Sequence, residues 1–159
     1  MIHNVYIALG SNIGDRQSYI DNALKMLVEY EEIDVISVSD NYNTKAVTQS
    51  VQPDYLNSAA HLTTIFPLRE FFEICLKIET HLGRQSKHNQ DPRTIDIDIL
   101  FFDNMIVSED DLIIPHPLLH ERLFVLKPLV QIAPDIIHPL LNVSINNLYL
   151  EKCDTVLTL

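Results

Sequence analysis

Asp96 and Asp98 stand two residues apart in the stretch Asp91-Pro92-Arg93-Thr94-Ile95-Asp96-Ile97-Asp98-Ile99-Leu100. In an extended strand successive side chains alternate faces, so Ile95, Ile97 and Ile99 share one face and the two aspartates the other. Two residues of rise separate the carboxylates by roughly 6.5 to 7 Å along the strand. Half-buried like charges at that distance repel unless a cation bridges them. Hard oxygen donors suit Mg2+, which takes one or two carboxylates and completes its shell with water and substrate phosphates. A one-sided strand with its aspartates facing water has the same pattern. The preceding loop favours the first reading, because it carries Arg84, Lys87, His88 and Arg93. A cationic loop beside paired carboxylates suits a polyanion gripped by both, as in phosphoryl transfer.

Two further clusters carry chemistry. In Pro115-His116-Pro117-Leu118-Leu119-His120-Glu121-Arg122-Leu123-Phe124 the prolines fix His116 in a rigid loop, and Arg122 can fork around phosphate oxygens. In Gln52-Pro53-Asp54-Tyr55-Leu56-Asn57, Tyr55 offers an aromatic face and Asn57 both a donor and an acceptor. That pair suits a flat heterocycle with amide-like edges. Taken singly, each cluster also fits a structural histidine, a core tyrosine or a turn asparagine.

The elements that must position these residues follow from periodicity. Residues 5–9 alternate as a first strand, and Gly10-Ser11-Asn12 breaks it. Asp15 is placed to cap a helix whose apolar residues Ile20, Ala23, Leu24, Leu27 and Val28 recur at helical spacing. Residues 35–42 alternate as a second strand, 44–54 form a long polar loop, and 56–65 read as a third strand. Pro67 opens a second helix with the stripe Phe71, Ile74, Cys75, Ile78 and Leu82, which Gly83 ends. The tract 84–93 lacks large apolar residues and reads as a solvated loop, and 94–102 as a strong fourth strand. The order is β-α-β-β-α-β, that of a ferredoxin-like unit. The proline-punctuated remainder reads as short helices and turns packed on that core, so residues 1–159 make one α+β domain.

Composition narrows the partners. A formal net charge of −11 argues against nucleic acid or an anionic membrane, which require a basic footprint. No apolar run reaches the roughly 18 residues of a membrane span, and the N-terminus lacks a basic leader segment, so a cytoplasmic location is expected. Cys75 and Cys153 lie far apart without metal-ligand spacing, and Cys75 falls on a helix's apolar face as a buried thiol. Glu109-Asp110-Asp111 reads as a solvated acidic turn, and the histidines other than His116 show no ligand spacing.

Together the clusters resemble one family, the 6-hydroxymethyl-7,8-dihydropterin pyrophosphokinases. The resemblance runs through Gly10-Ser11-Asn12, Tyr42-x-Thr44, Pro53-Asp54-Tyr55-Leu56-Asn57, Ile78-Glu79 and Gly83-Arg84. It continues through Pro92-Arg93-Thr94-Ile95-Asp96-Ile97-Asp98-Ile99, Pro115-His116, Arg122-x-Phe124, Pro128-Leu129 and Ile132-Ala133-Pro134. It implies a ferredoxin-like, three-layer α-β-α fold with an antiparallel sheet, acting as a monomer. Asp96 and Asp98 would hold two Mg2+ ions, and with Arg93 form the catalytic set. The pterin would lie between Tyr55 and Phe124, its edge met by Asn57, Asp96, Thr44 and Val47. The co-substrate ATP would be met by Glu79, Arg84, Arg93, Ile99, Ile113, His116 and Arg122. The substrate hydroxyl would attack the β-phosphorus and release AMP, in a step of folate biosynthesis.

The sequence departs from the family pattern in its nucleotide loops. Lys45 replaces the usual proline after Tyr-x-Thr, the loop before Pro92 lacks the family's extra arginines and tryptophan, and Asp110-Asp111 stands where an arginine is common. Two other classes remain open to the residues alone. A different Mg-dependent phosphoryl transferase would keep Asp96, Asp98 and Arg93 but leave Tyr55, Asn57 and Phe124 unexplained. A non-catalytic binding domain would account for the altered loops but not for the intact aspartates.

Overall fold

The computed structural model describes residues 1–46, 50–84 and 91–157. Its elements are β1 (His3–Ser11), α1 (Arg16–Leu27), β2 (Ile33–Val38), β3 (Tyr42–Thr44), β4 (Tyr55–Thr64), α2 (Leu68–His81) and β5 (Asp96–Phe102). There follow a small hairpin of β6 (Val107–Ser108) and β7 (Ile113–Ile114), a 3-10 turn at Leu119–Glu121, α3 (Leu123–Ile132) and α4 (Ile145–Leu157). Among the described residues the main sheet runs β2-β4-β1-β5, with β3 extending the pairing along β4. All its ladders are antiparallel.

Local chemistry explains the helices. The Asp15 carboxylate accepts from the Ser18 N–H at 3.1 Å, which caps α1 and holds that exposed acid below its usual range. Ile20, Ala23 and Leu27 are then buried, whereas Val28 at the helix end is exposed. In α2 the buried face takes Phe71, Phe72, Ile74, Cys75 and Ile78, each large side chain contributing roughly 1.5–3 kcal/mol of burial. Gly83, at φ +96°, turns the chain out of α2, and the Arg84 N–H bonds back to the Glu79 carbonyl at 3.0 Å.

The sheet is apolar on both faces. One face packs with α1 and α2 through Ile7, Leu9, Leu62, Ile97 and Phe102. The other packs with α3 and α4 through Ala59, Phe101, Leu126, Leu129 and Ile145. Mixed helix and antiparallel sheet is therefore the class, as the sequence suggested.

Several local expectations need correction. Gly10 and Ser11 do not break β1; they continue its ladders to Asn57 and Leu56 of β4. The expected strand at 35–42 is two strands, because the Ser39 hydroxyl accepts the Ala59 N–H at 2.9 Å and donates to the Asp40 carbonyl at 2.8 Å. The C-terminal part holds longer helices than its prolines suggested, with Pro128 inside the ten-residue α3 and a 13-residue α4 beyond it. The acidic turn is not simply solvated, since Arg69 pairs with both Glu109 and Asp111. Arg84 is not part of a solvated loop either; only 7% of it is exposed. Lys87 and His88 lie outside the described residues.

Candidate active site

Asp96 and Asp98 emerge on the α3/α4 face of β5, while Ile95, Ile97 and Ile99 are buried on the other. The alternation expected of this strand therefore holds. The register explains what surrounds them. β1 lies between β5 and β4, with Gly10 opposite Asp96 on one side and opposite Asn57 on the other. The metal-type carboxylates and the amide thus share a floor, two strands apart. A cavity of about 560 Å³ opens above it, a volume typical of small-molecule sites.

Gly10 keeps that floor open. A Cβ there would stand 3.1 Å from the Asn57 Oδ1, close enough to push the amide aside, and in contact with the Tyr55 ring at 3.5 Å. The Asn57 amide nitrogen donates to the Thr44 hydroxyl at 2.5 Å, which fixes the amide across the β3–β4 ladder. Burial, followed by the nearby Asp96 charge, pushes the Tyr55 phenol above its ordinary range, so it stays neutral.

Below Asp96 lies a chain of charges. Arg93 Nη1 contacts the Asp96 Oδ2 at 3.0 Å, and Arg84 Nη1 meets the Oδ1. Arg84 also donates to the buried Glu79 Oε1 at 2.9 Å, and the same oxygen accepts the Ile97 N–H at 2.7 Å. Glu79 therefore holds Arg84 against the strand that carries both aspartates. Burial raises the Asp96 pKa, repulsion from Asp98 adds to the rise, and Arg84 and Arg93 oppose it. The positive charge of Arg84 and Arg93 is gathered on Asp96. Burial lowers the affinity of Arg93 for its proton while Asp96 raises it, and the carboxylate prevails.

Asn12, fully buried, ties the site's loops together. Its side chain donates to the Gln52 Oε1 at 3.1 Å and the Pro53 carbonyl at 3.2 Å, and accepts the Arg93 N–H at 2.7 Å. On the helical side, Arg122 sits at the extended N-terminal boundary of α3 with its guanidinium 5.5 Å from the Phe124 ring centre. Both residues line the cavity.

The cavity thus brings together Thr44, Tyr55, Asn57, Arg93, Asp96, Asp98, Arg122 and Phe124. It does not bring in Glu79 or Arg84, which act beneath the floor, nor Ile99, which is buried among the α2-side core residues. Ile113 lies exposed on β7. His116 is half-buried, accepting the Leu118 N–H on its Nδ1 at 3.2 Å, with its own N–H bonded to the Leu100 carbonyl at 3.0 Å. Val47 falls outside the described residues. Sequence reasoning missed Lys152 and Val156, quoted Gly10, Asn12 and Glu121 within motifs without giving them a role, and noticed Lys45 only as a departure. Among the described residues no cluster of three His, Cys, Asp or Glu side chains could hold a metal by itself.

A family profile described as 7,8-dihydro-6-hydroxymethylpterin-pyrophosphokinase (HPPK) matches residues 6–134. The chain belongs to this pyrophosphokinase family. It is an ATP-dependent diphosphotransferase, and its reaction is pyrophosphoryl transfer to hydroxymethyldihydropterin in folate biosynthesis. It is 41% identical over 131 residues to a Bacillus subtilis 2-amino-4-hydroxy-6-hydroxymethyldihydropteridine pyrophosphokinase, covering 82% of this chain and 78% of that one. It is 40% identical over 149 residues to the folic acid synthesis protein fol1 of Pneumocystis carinii, covering 93% of this chain but only 20% of that protein. The crystal structure of wild-type Plasmodium falciparum HPPK-DHPS superposes with a TM-score of 0.72 at 16% identity, covering 95% of this chain and 45% of that one. At that identity the likeness speaks for the fold.

Proposed function

We propose that this cavity is where the pyrophosphoryl group of ATP passes to the hydroxymethyl oxygen of the dihydropterin, releasing AMP. The observation that supports it best is convergence. Paired carboxylates, an aromatic–amide pair, two arginines and Phe124 come from separate stretches of chain and line one cavity. Tyr55 and Phe124 take the pterin ring between them, and Asn57, Thr44 and Asp96 read its edge, with Val47 assigned by resemblance alone. Arg93 and Arg122 hold the nucleotide phosphates. His116, Ile99 and Ile113 belong to the nucleotide side by resemblance, while Glu79 and Arg84 act through Asp96.

The donor set fits Mg2+. Two carboxylates and no third acidic or imidazole ligand among the described residues match an ion that draws its remaining oxygens from water and phosphate. Two such ions, held by Asp96 and Asp98, would neutralise phosphate charge and orient the polyphosphate. Without substrate, Arg84 and Arg93 compensate Asp96. When ATP enters, Arg93 would exchange the carboxylate for phosphate oxygens, which would release the Asp96 Oδ2 for a metal while Arg84 remains on the Oδ1. The protein's share of the rate is alignment of hydroxyl, phosphorus and leaving group, plus a preorganised positive field.

The strand order, in which the first strand lies between the third and last of the β-α-β-β-α-β set, supports a ferredoxin-like three-layer arrangement. By the family resemblance, we propose that the chain acts as a monomer. Among the described residues no helix is long and apolar enough to cross a membrane, in keeping with the cytoplasmic location we propose. The test is AMP formation from ATP and 6-hydroxymethyl-7,8-dihydropterin with and without Mg2+. AMP is expected only when pterin and metal are both present. A folded sample that binds pterin yet forms no AMP would overturn the catalytic reading.

A further inference from the structure

The family profile ends at residue 134, yet the cavity is lined by two residues well beyond it, Lys152 and Val156 of α4. Four residues apart, they sit one helical turn from each other on a single face. Lys152 is half-buried, while Val156 is exposed, so an apolar side chain borders an open cavity where a ligand would cover it.

The way α4 is docked brings these residues to the cavity. Ile145 and Leu148 anchor its first turns in the core shared with α3. Tyr149 packs against the same core, and its phenol interacts electrostatically with Tyr42. Tyr42 belongs to β3, directly opposite Asn57 in the ladder. It is fixed there by its hydroxyl, which donates to the Gln131 Oε1 at 2.8 Å, and by Lys127, whose ammonium lies 4.9 Å from the ring centre. Lys152 and Val156, about one and two turns beyond Tyr149, line the same cavity as Thr44, Tyr55 and Asn57.

We infer that Lys152 is a specificity-determining residue for the pterin, its ammonium donating to an acceptor atom of the heterocycle or its hydroxymethyl arm while Val156 covers the ring's edge. This rests on assigning the Thr44–Tyr55–Asn57 end to the pterin. Lys152 adds a second ammonium to that of Lys45, which follows Thr44 in the cavity lining. Tyr55, Asn57 and Thr44 are neutral, and a charged donor discriminates more sharply among ring acceptors than a neutral one. The sequence around Lys152 carries no motif, which is why its role emerges only when α4 folds back.

The experiment is steady-state kinetics of the full chain carrying Lys152→Met, Lys152→Arg or Tyr55→Ala, with pterin and ATP varied separately. Lys152→Met should raise the pterin KM about tenfold or more while the ATP KM stays within about twofold, and Lys152→Arg should recover part of the loss. A structural role would move both KM values together and would not be rescued by arginine. An unchanged pterin KM in Lys152→Met, or a raised ATP KM in its place, overturns the inference. If Tyr55→Ala also leaves the pterin KM unchanged, the fault lies in the assignment of that end of the cavity. If only Tyr55→Ala raises it, the role given to Lys152 alone is wrong.

Discussion

The floor of the cavity and its helical side are built by different physics. Asp96, Asp98, Gly10 and Asn57 sit on neighbouring strands β5, β1 and β4, and the ladder register decides which of them face each other. Moving one of these residues means slipping a strand whose alternate side chains are buried in the core. Arg122, Phe124, Lys152 and Val156 instead lie near the start of α3 and towards the end of α4, held by packing between helices and by a few polar contacts. The floor is rigid because the sheet is, and the helical side is adjustable because helix ends are. The floor carries the paired carboxylates and the Asn57 amide, and the helical side adds Arg122, Phe124 and Lys152 around them.

The largest predicted effect breaks the floor's chemistry without breaking the floor. Asp98→Ala should lower turnover by at least about 1,000-fold with an unchanged circular dichroism spectrum, because the proposed metal site loses a donor. Wild-type turnover in this variant would remove Asp98 from the metal site. Next comes the support beneath. Glu79→Ala strips a buried partner from Arg84 and an acceptor from the Ile97 N–H, and should cost roughly 3 kcal/mol in denaturant unfolding. A loss below about 1 kcal/mol would mean that the network is not what holds β5 in place.

A smaller change tests the open floor. Gly10→Val presses a branched side chain against the Asn57 amide and the Tyr55 ring, and should weaken pterin binding by about tenfold or more while ATP binding is nearly spared. Equal losses for both ligands would mean that the two substrates do not divide the cavity as described.

The smallest effect concerns the turn that leads into α4. The buried His138 accepts two backbone N–H groups, from Leu140 and Leu141, on its Nδ1 at 3.2 Å each, which requires that nitrogen to be unprotonated. Burial, aided by His120, lowers its pKa below the ordinary 6.5. The folded state therefore binds fewer protons than the unfolded chain, and this contribution is present above that ordinary value and lost as pH falls towards the depressed one. Melting temperature should decline between pH 7 and pH 5, and decline less steeply in His138→Asn. Equal slopes would assign the acid sensitivity elsewhere.

The contrast also explains what the sequence revealed. The floor was legible because a strand's alternation is local. Asp96 and Asp98 could be placed on one face, and Asn57 beside Tyr55, from spacing alone. Asp15 and Gly83 likewise announced a helix start and stop through rules confined to a few residues. Gly10 was misread as a break, since a glycine that clears space for a neighbouring strand looks the same as one that ends a strand. Ser39 split an apparently continuous strand through a bond to Ala59, a residue 20 positions away. Arg84 read as solvated because its partners, Glu79 and Asp96, converge only when α2 packs beside β5. Lys152 was invisible for the same reason on a larger scale. Thr44 and Tyr55, which line the same cavity, are about a hundred residues away in sequence, and no short-range pattern records such a meeting.

The most direct test of the account is calorimetric titration of Tyr55→Ala with 6-hydroxymethyl-7,8-dihydropterin and, separately, with a non-hydrolysable ATP analogue and Mg2+. Loss of an aromatic face should weaken pterin binding by roughly ten- to a hundredfold and leave nucleotide binding within about twofold. Unchanged pterin affinity, or equal losses for both ligands, would contradict a cavity whose β3–β4 end receives the pterin and whose arginines receive the phosphates.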